Sequence, residues 1–141
     1  MAKIEKGYHC VYSLKYHMVW ITKYRYKKFF GSVEKEAVKI LKWIAESYDW
    51  EIEEMDVSPD HLHLYISTEP TDRPSDVIKK LKEESSKTLG KKYPYLKNKK
   101  GAVWGRGYFI TTVNDKTTSE QIKRYIRNQK AVAAQGTLFN L

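Results

Sequence analysis

The chain has 141 residues, about the length of one domain, and its 41% hydrophobic and 30% charged composition excludes a disordered tail. No run approaches the roughly 20 apolar residues of a bilayer span. Met1-Ala2-Lys3-Ile4-Glu5-Lys6 lacks the apolar core of a signal peptide, and the lone Cys10 permits no internal disulfide, so a soluble cytoplasmic protein is expected.

Neither repeat, low-complexity tract nor linker interrupts the sequence, which reads as a single domain over 1–141. Residues 11–22 alternate, with Tyr12, Leu14, Tyr16, Met18 and Trp20 on one face, predicting one long strand. Val33, Ala37, Ile40, Leu41, Ile44, Ala45 and Tyr48 recur at helical spacing and predict an amphipathic helix over 32–48. A second strand follows at 50–57, a turn at Ser58-Pro59-Asp60 and a third strand at 61–67. Pro74 suits the first turn of a helix over 74–89, whose inward positions are Val77, Ile78, Leu81 and Leu89.

Gly90 to Gly107 is rich in Lys and Gly and reads as a long, mobile connection. A fourth strand is expected over 108–113. Thr117 and Glu120 form a capping-box signature for a last helix running to about Ala134, which Gln135-Gly136 ends. The order β-α-β-β-α-β-α predicts an α+β, ferredoxin-like or RRM-like antiparallel sheet. Helices cover one face, and an additional C-terminal helix follows.

Charge narrows the function. Lys and Arg number 26 against 17 acidic residues, a net charge of +9 that favours a polyanionic partner. Eleven tyrosines and four tryptophans, many beside basic residues as in Lys23-Tyr24-Arg25-Tyr26-Lys27-Lys28, suit unpaired strands whose bases stack on rings, although such rings equally serve as core.

Asp60-His61-Leu62-His63-Leu64-Tyr65-Ile66-Ser67 carries the chemistry. Strand alternation places Leu62, Leu64 and Ile66 on an aliphatic core face, and His61, His63 and Tyr65 on the other. The two histidines stand about 7 Å apart at Cβ. Two converging imidazoles close that gap onto one ion, giving half of a metal site. A solvated histidine pair is the alternative that spacing alone leaves open. On the last helix Tyr125 and Gln129 lie one turn apart on one face, with Asn128 beside them. Arg124 and Arg127 flank the tyrosine in sequence and are expected to bring phosphate to it. Taken alone, Tyr125, one of 11 tyrosines, reads as amphipathic core packing rather than as a nucleophile.

His61-Leu62-His63 resembles the His-hydrophobic-His (HUH) motif of the HUH endonucleases. Tyr125-Ile126-Arg127-Asn128-Gln129 resembles the nucleophile helix of their smallest branch, the single-tyrosine TnpA-like transposases of bacterial and archaeal insertion sequences. Tyr16-His17-Met18-Val19-Trp20 followed by Lys23-Tyr24-Arg25, and Val103-Trp104-Gly105-Arg106-Gly107-Tyr108-Phe109, fit the same pattern in the same order. The resemblance covers nearly the whole chain. It implies that Tyr125 is the nucleophile and that His61, His63 and Gln129 ligate a divalent metal. The family assigns Mg²⁺ or Mn²⁺, whereas imidazoles by themselves suit zinc better. It also implies homodimers in which the tyrosine helix of one subunit completes the other's site, acting on single-stranded DNA with hairpins near the element ends.

The expected reaction is transesterification through a 5′-phosphotyrosine link, with no organic cofactor. Lys23, Arg25 and Lys27 are expected to track phosphates, and Trp104 and Arg106 to hold an unpaired base or a hairpin. Three other readings stand beside this one. They are a different HUH nuclease such as a replication initiator or relaxase, a REP-associated tyrosine transposase, and a non-catalytic RRM-like binding module.

Overall fold

The computed structural model describes residues 5–7, 10–98 and 101–112, with side chains from Cys10 onward. The expected last helix, and with it Arg124, Tyr125, Arg127 and Gln129, lies outside the described residues.

Two short strands, β1 (Glu5–Gly7) and β2 (Cys10–Tyr12), pair antiparallel as a small separate ribbon. The main sheet has four strands: β3 (Lys15–Ile21), β4 (Glu51–Ser58), β5 (His61–Ser67) and β6 (Phe109–Thr112). Their order across the sheet is β4-β5-β3-β6, every neighbour antiparallel. Helices α1 (Gly31–Ser47) and α2 (Pro74–Lys92) make the two crossovers. This is the split βαβ arrangement expected from the order of elements.

Strand alternation explains which face the helices cover. In the β3–β5 register Met18 faces Leu64 and Trp20 faces Leu62, all four fully buried. Against them α1 brings Val33, Ala37, Ile40, Leu41, Ile44 and Ala45, and α2 brings Val77, Ile78, Leu81 and Leu89. Each fully buried aliphatic side chain contributes about 1.5–3 kcal/mol, so this cluster fixes the strand register. A slip of one residue would put the histidines in the core.

Two expectations need correction. The strand anticipated over 11–22 is two strands in different ladders, broken at Ser13 and Leu14. β5 begins pairing with β3 only at Lys15↔Ser67, and just before it the Leu14 carbonyl accepts the Thr68 N–H. Alternation marks extended backbone but does not say which partner the backbone has.

The stretch expected to be a mobile connection is instead largely ordered into the fold. α2 continues through a buried Gly90 to Lys92, and a single 3-10 turn follows at Pro94–Leu96. Leu96, Val103 and Trp104 are core residues. Backbone bonds tie this strap to the end of β3, from Lys23 N–H to the Val103 carbonyl and from Gly105 N–H to the Ile21 carbonyl. Gly105 suits this close approach. A Cβ there would sit 3.1 Å from Ile21 Cγ1 and 3.2 Å from the Thr22 carbonyl oxygen.

Candidate active site

The sheet face away from the helices carries the histidines. Register alone assembles it: Ile21 lies opposite His61, Val19 opposite His63, and His17 opposite Tyr65. On the outer side of β5, Ser58 pairs with His61 and Asp56 with His63. The His61 and His63 rings are nearly parallel, their planes 15° apart and their centroids 6.5 Å apart. A cleft of about 290 Å³, lined by Glu54, Met55, Asp56, His63 and Tyr65, opens beside the second ring.

The two imidazoles are held differently. His61 Nδ1 lies 2.8 Å from Asp60 Oδ1, while Asp60 Oδ2 accepts a 2.8 Å bond from the Arg25 guanidinium. Burial pushes the Asp60 carboxyl up, but the His61 hydrogen bond and the Arg25 and His61 charges together outweigh it and hold the pKa below its ordinary value. Asp60 is therefore a carboxylate, which only accepts, so His61 Nδ1 carries the hydrogen and, in the neutral imidazole, Nε2 keeps the lone pair.

At His63, Nε2 lies 3.2 Å from Asp56 Oδ2 and Nδ1 lies 3.3 Å from His17 Nε2. If the Asp56 carboxylate accepts from Nε2, then Nδ1 is the acceptor and His17 donates to it. That assignment leaves His17 Nδ1 bare, in agreement with its being buried without a partner among the described residues. Burial, and after it the charge of His63, push His17 down to about 4. His17 also packs on Tyr65, their centroids 4.2 Å apart.

The donors fit half of a metal centre. His61 presents a free nitrogen. His63 presents one once its hydrogen passes from Nε2 to Nδ1 and Nε2 leaves Asp56, whose side chain is 67% exposed and holds it weakly. Among the described residues no group of three or more His, Cys, Asp or Glu could hold an ion, so a metal here needs ligands from beyond them.

The other expected site residues separate into two kinds. Lys27 and Arg106 are exposed, and Lys23 is half-buried with its ammonium 5.5 Å from the Tyr24 ring. Those three remain open to a polyanion. Arg25 does not: its side chain is 13% exposed and its guanidinium is engaged by Asp60, which corrects the expectation that it tracks phosphate.

Trp104 is likewise no stacking platform. It is 5% exposed, lies flat against Phe29 at 5.0 Å and edge-on to Trp20, and donates its Nε1–H to Ser85 Oγ at 2.9 Å. A core that needs a large ring with one polar handle accounts for it. Motif spacing does not single out His17, Asp56 or Asp60 as site residues. Parity along β3 is the signal that finds His17, since it falls opposite in phase to Met18 and Trp20. The two carboxylates become visible only once β4, the turn and β5 are paired.

An antiparallel sheet with helices on one face and a paired-histidine motif on the other defines the HUH class of site. Comparison with known proteins narrows the class. The IS200-like transposase family model matches residues 10–129. The ISDra2 transposase TnpA of Deinococcus radiodurans is 38% identical over 129 residues, covering 90% of this chain and 91% of its own. The transposase of insertion sequence element IS200 from Salmonella typhimurium is 32% identical over 123 residues, covering 86% and 80%.

Among solved structures, that of a Deinococcus radiodurans R1 protein assigned as a transposase superposes with a TM-score of 0.83 at 35% identity, over 89% of this chain and 97% of that one. A REP-associated tyrosine transposase bound to a REP hairpin shares the fold alone, with a TM-score of 0.55 at 13% identity over 86% and 68%. The chain belongs to the IS200-like transposases, single-tyrosine enzymes of DNA transposition.

Proposed function

We propose that this transposase cuts and rejoins single-stranded DNA at insertion-sequence ends by two transesterifications. The observation that carries the reading is the His61–His63 pair on the sheet face opposite α1 and α2, with His61 Nε2 outside its bond to Asp60, in a chain of this family. Tyr125 Oη attacks the scissile phosphorus. The bond to the 3′ oxygen breaks, leaving a 5′-phosphotyrosine link and a 3′-hydroxyl. A second DNA 3′-hydroxyl then attacks that link, restoring a phosphodiester and the tyrosine hydroxyl. The phosphodiester energy is retained throughout, so no ATP or organic cofactor enters.

His61, His63 and Gln129 would hold a divalent ion, Mg²⁺ or Mn²⁺. Such an ion supplies polarisation of a phosphate and stabilisation of developing negative charge. His17 backs His63, and Asp56 accepts its Nε2–H in the resting arrangement. Lys23, Lys27 and Arg106, with Arg124 and Arg127, neutralise DNA phosphates. The acting unit is a homodimer whose Tyr125 serves its own or the partner's site, on DNA in the cytoplasm. Hairpins near the ends are the recognised feature, a reading supported by the REP hairpin held by the structural neighbour.

The test is a covalent adduct. Single-stranded DNA from the flanks of the gene, with Mn²⁺ or Mg²⁺, is expected to give a protein–DNA species on a denaturing gel. Tyr125→Phe is expected to abolish it. An adduct that persists in Tyr125→Phe removes Tyr125 as nucleophile, and tight RNA binding without any adduct favours a non-catalytic module.

A further inference from the structure

We infer that Asp60, anchored by Arg25, is the positioning residue that fixes the tautomer and ring orientation of His61, and that the loop between β3 and α1 is shaped to supply that anchor. The inference rests on the reading of His61 as a metal ligand and goes beyond it.

Three observations converge. Asp60 divides its two oxygens, Oδ1 to His61 Nδ1 and Oδ2 to Arg25, each at 2.8 Å. All three side chains are mostly buried, at 19%, 11% and 13% exposure for His61, Asp60 and Arg25. The pair is thus shielded from the solvent that makes surface ion pairs weak.

The backbone is committed as well. Tyr24 and Arg25 both occupy the left-handed region, at φ 57° and 55°. That conformation is unfavourable by roughly 1–2 kcal/mol for each such residue. Strain of this kind persists only where the surroundings enforce it. Here they do: Thr22 N–H donates to the Asp60 carbonyl, and Lys28 and Phe29 N–H both donate to the Pro59 carbonyl. The loop is stitched to the Pro59–Asp60 turn on both sides of the strained pair.

The chemical consequence follows from donor counting. A carboxylate paired to a guanidinium accepts only, so His61 carries its hydrogen on Nδ1 and offers Nε2 outward. His63 has no buried carboxylate behind it: Asp56 is largely exposed and 3.2 Å away, and the other partner of His63 is the His17 imidazole at 3.3 Å. His61 is the preset half of the pair and His63 the adaptable half.

The experiment uses the full chain, first metal-free. Side-chain ¹⁵N NMR of the histidines is expected to show His61 protonated on Nδ1 in the wild type and on Nε2, or on both in exchange, in Asp60→Ala. Mn²⁺ titration by calorimetry is then expected to show affinity lower by roughly 10- to 100-fold in Asp60→Ala. Arg25→Met is expected to lower it by a smaller factor, and His61→Ala to remove it.

Unchanged tautomer and Mn²⁺ affinity in Asp60→Ala, with binding lost in His61→Ala, would overturn the positioning role while leaving the metal site standing. Mn²⁺ affinity that survives His61→Ala would overturn the metal site, and the inference with it. If Asp60→Ala does not fold, Arg25→Met carries both readouts. A wild-type tautomer and affinity in that variant would overturn the role assigned to Arg25 and its loop.

Discussion

A tryptophan set among lysines and glycines can stack on a base in solvent or fill a core, and the surroundings decide between the two. Trp104 fills a core. Phe29 covers one ring face, Trp20 meets it edge-on, and Ser85 takes the indole hydrogen. Trp104→Ala is expected to cost about 3–5 kcal/mol, read as a lower urea midpoint. Trp104→Phe keeps most of the packing and loses one buried hydrogen bond, a cost of about 1–2 kcal/mol. Its affinity for a single-stranded oligonucleotide, followed by fluorescence anisotropy, is expected to stay at the wild-type value. Removing a stacking ring costs about 1–3 kcal/mol of binding, so a loss of about tenfold in a folded Trp104→Phe would return the ring to the DNA surface.

At the scale of elements, the contact between α2 and the strap behind it turns on one lysine. Lys82 Nζ donates to the Gly105 and Gly107 carbonyls at 2.8 and 2.9 Å. Burial, then the charge of Lys23, push its pKa from 10.5 down to about 8. The neutral amine still has two hydrogens, so both bonds survive deprotonation. Between pH 8 and 10.5 the unfolded chain binds more protons at this site than the folded one, so its contribution makes stability rise with pH across that window. The rise is no more than about 3.5 kcal/mol, because each pH unit inside the window adds no more than about 1.4 kcal/mol. Lys82→Met is expected to flatten that part of the profile, as read by urea denaturation at pH 7.5 and about 9.5. A wild-type slope retained in Lys82→Met would mean that other groups set it.

The same strap shows where sequence reading stops. α1 and β5 were legible because their periodicity records local burial: 32–48 against Gly31–Ser47, and 61–67 against His61–Ser67. The histidine pair was legible for the same reason. Leu96, Val103 and Trp104 follow no period, because tertiary contacts with Phe29, Trp20 and β3 bury them one at a time. Arg25 looked like a free cation because its partner lies 35 residues away across a turn.

For the whole molecule, the +9 charge is sequence-wide but its availability is local. α1 and α2 cover one sheet face, and the other presents His61 and His63, so DNA in the proposed reaction must run along that second face. Single-strand binding that neutralises Z phosphates weakens with salt at a log–log slope of about −0.7Z. For about five phosphates, a rise from about 50 to 200 mM salt multiplies the dissociation constant by roughly 100.

The sites differ in what they give to that slope. Lys27→Ala and Arg106→Ala each remove an exposed cation and are expected to make it shallower by about 0.7. Arg25→Met removes a charge already neutralised by Asp60, so in EDTA the slope is expected to stay at the wild-type value. Filter binding across a salt series checks this. A slope that falls equally in Arg25→Met would mean that the guanidinium leaves Asp60 for phosphate when DNA arrives.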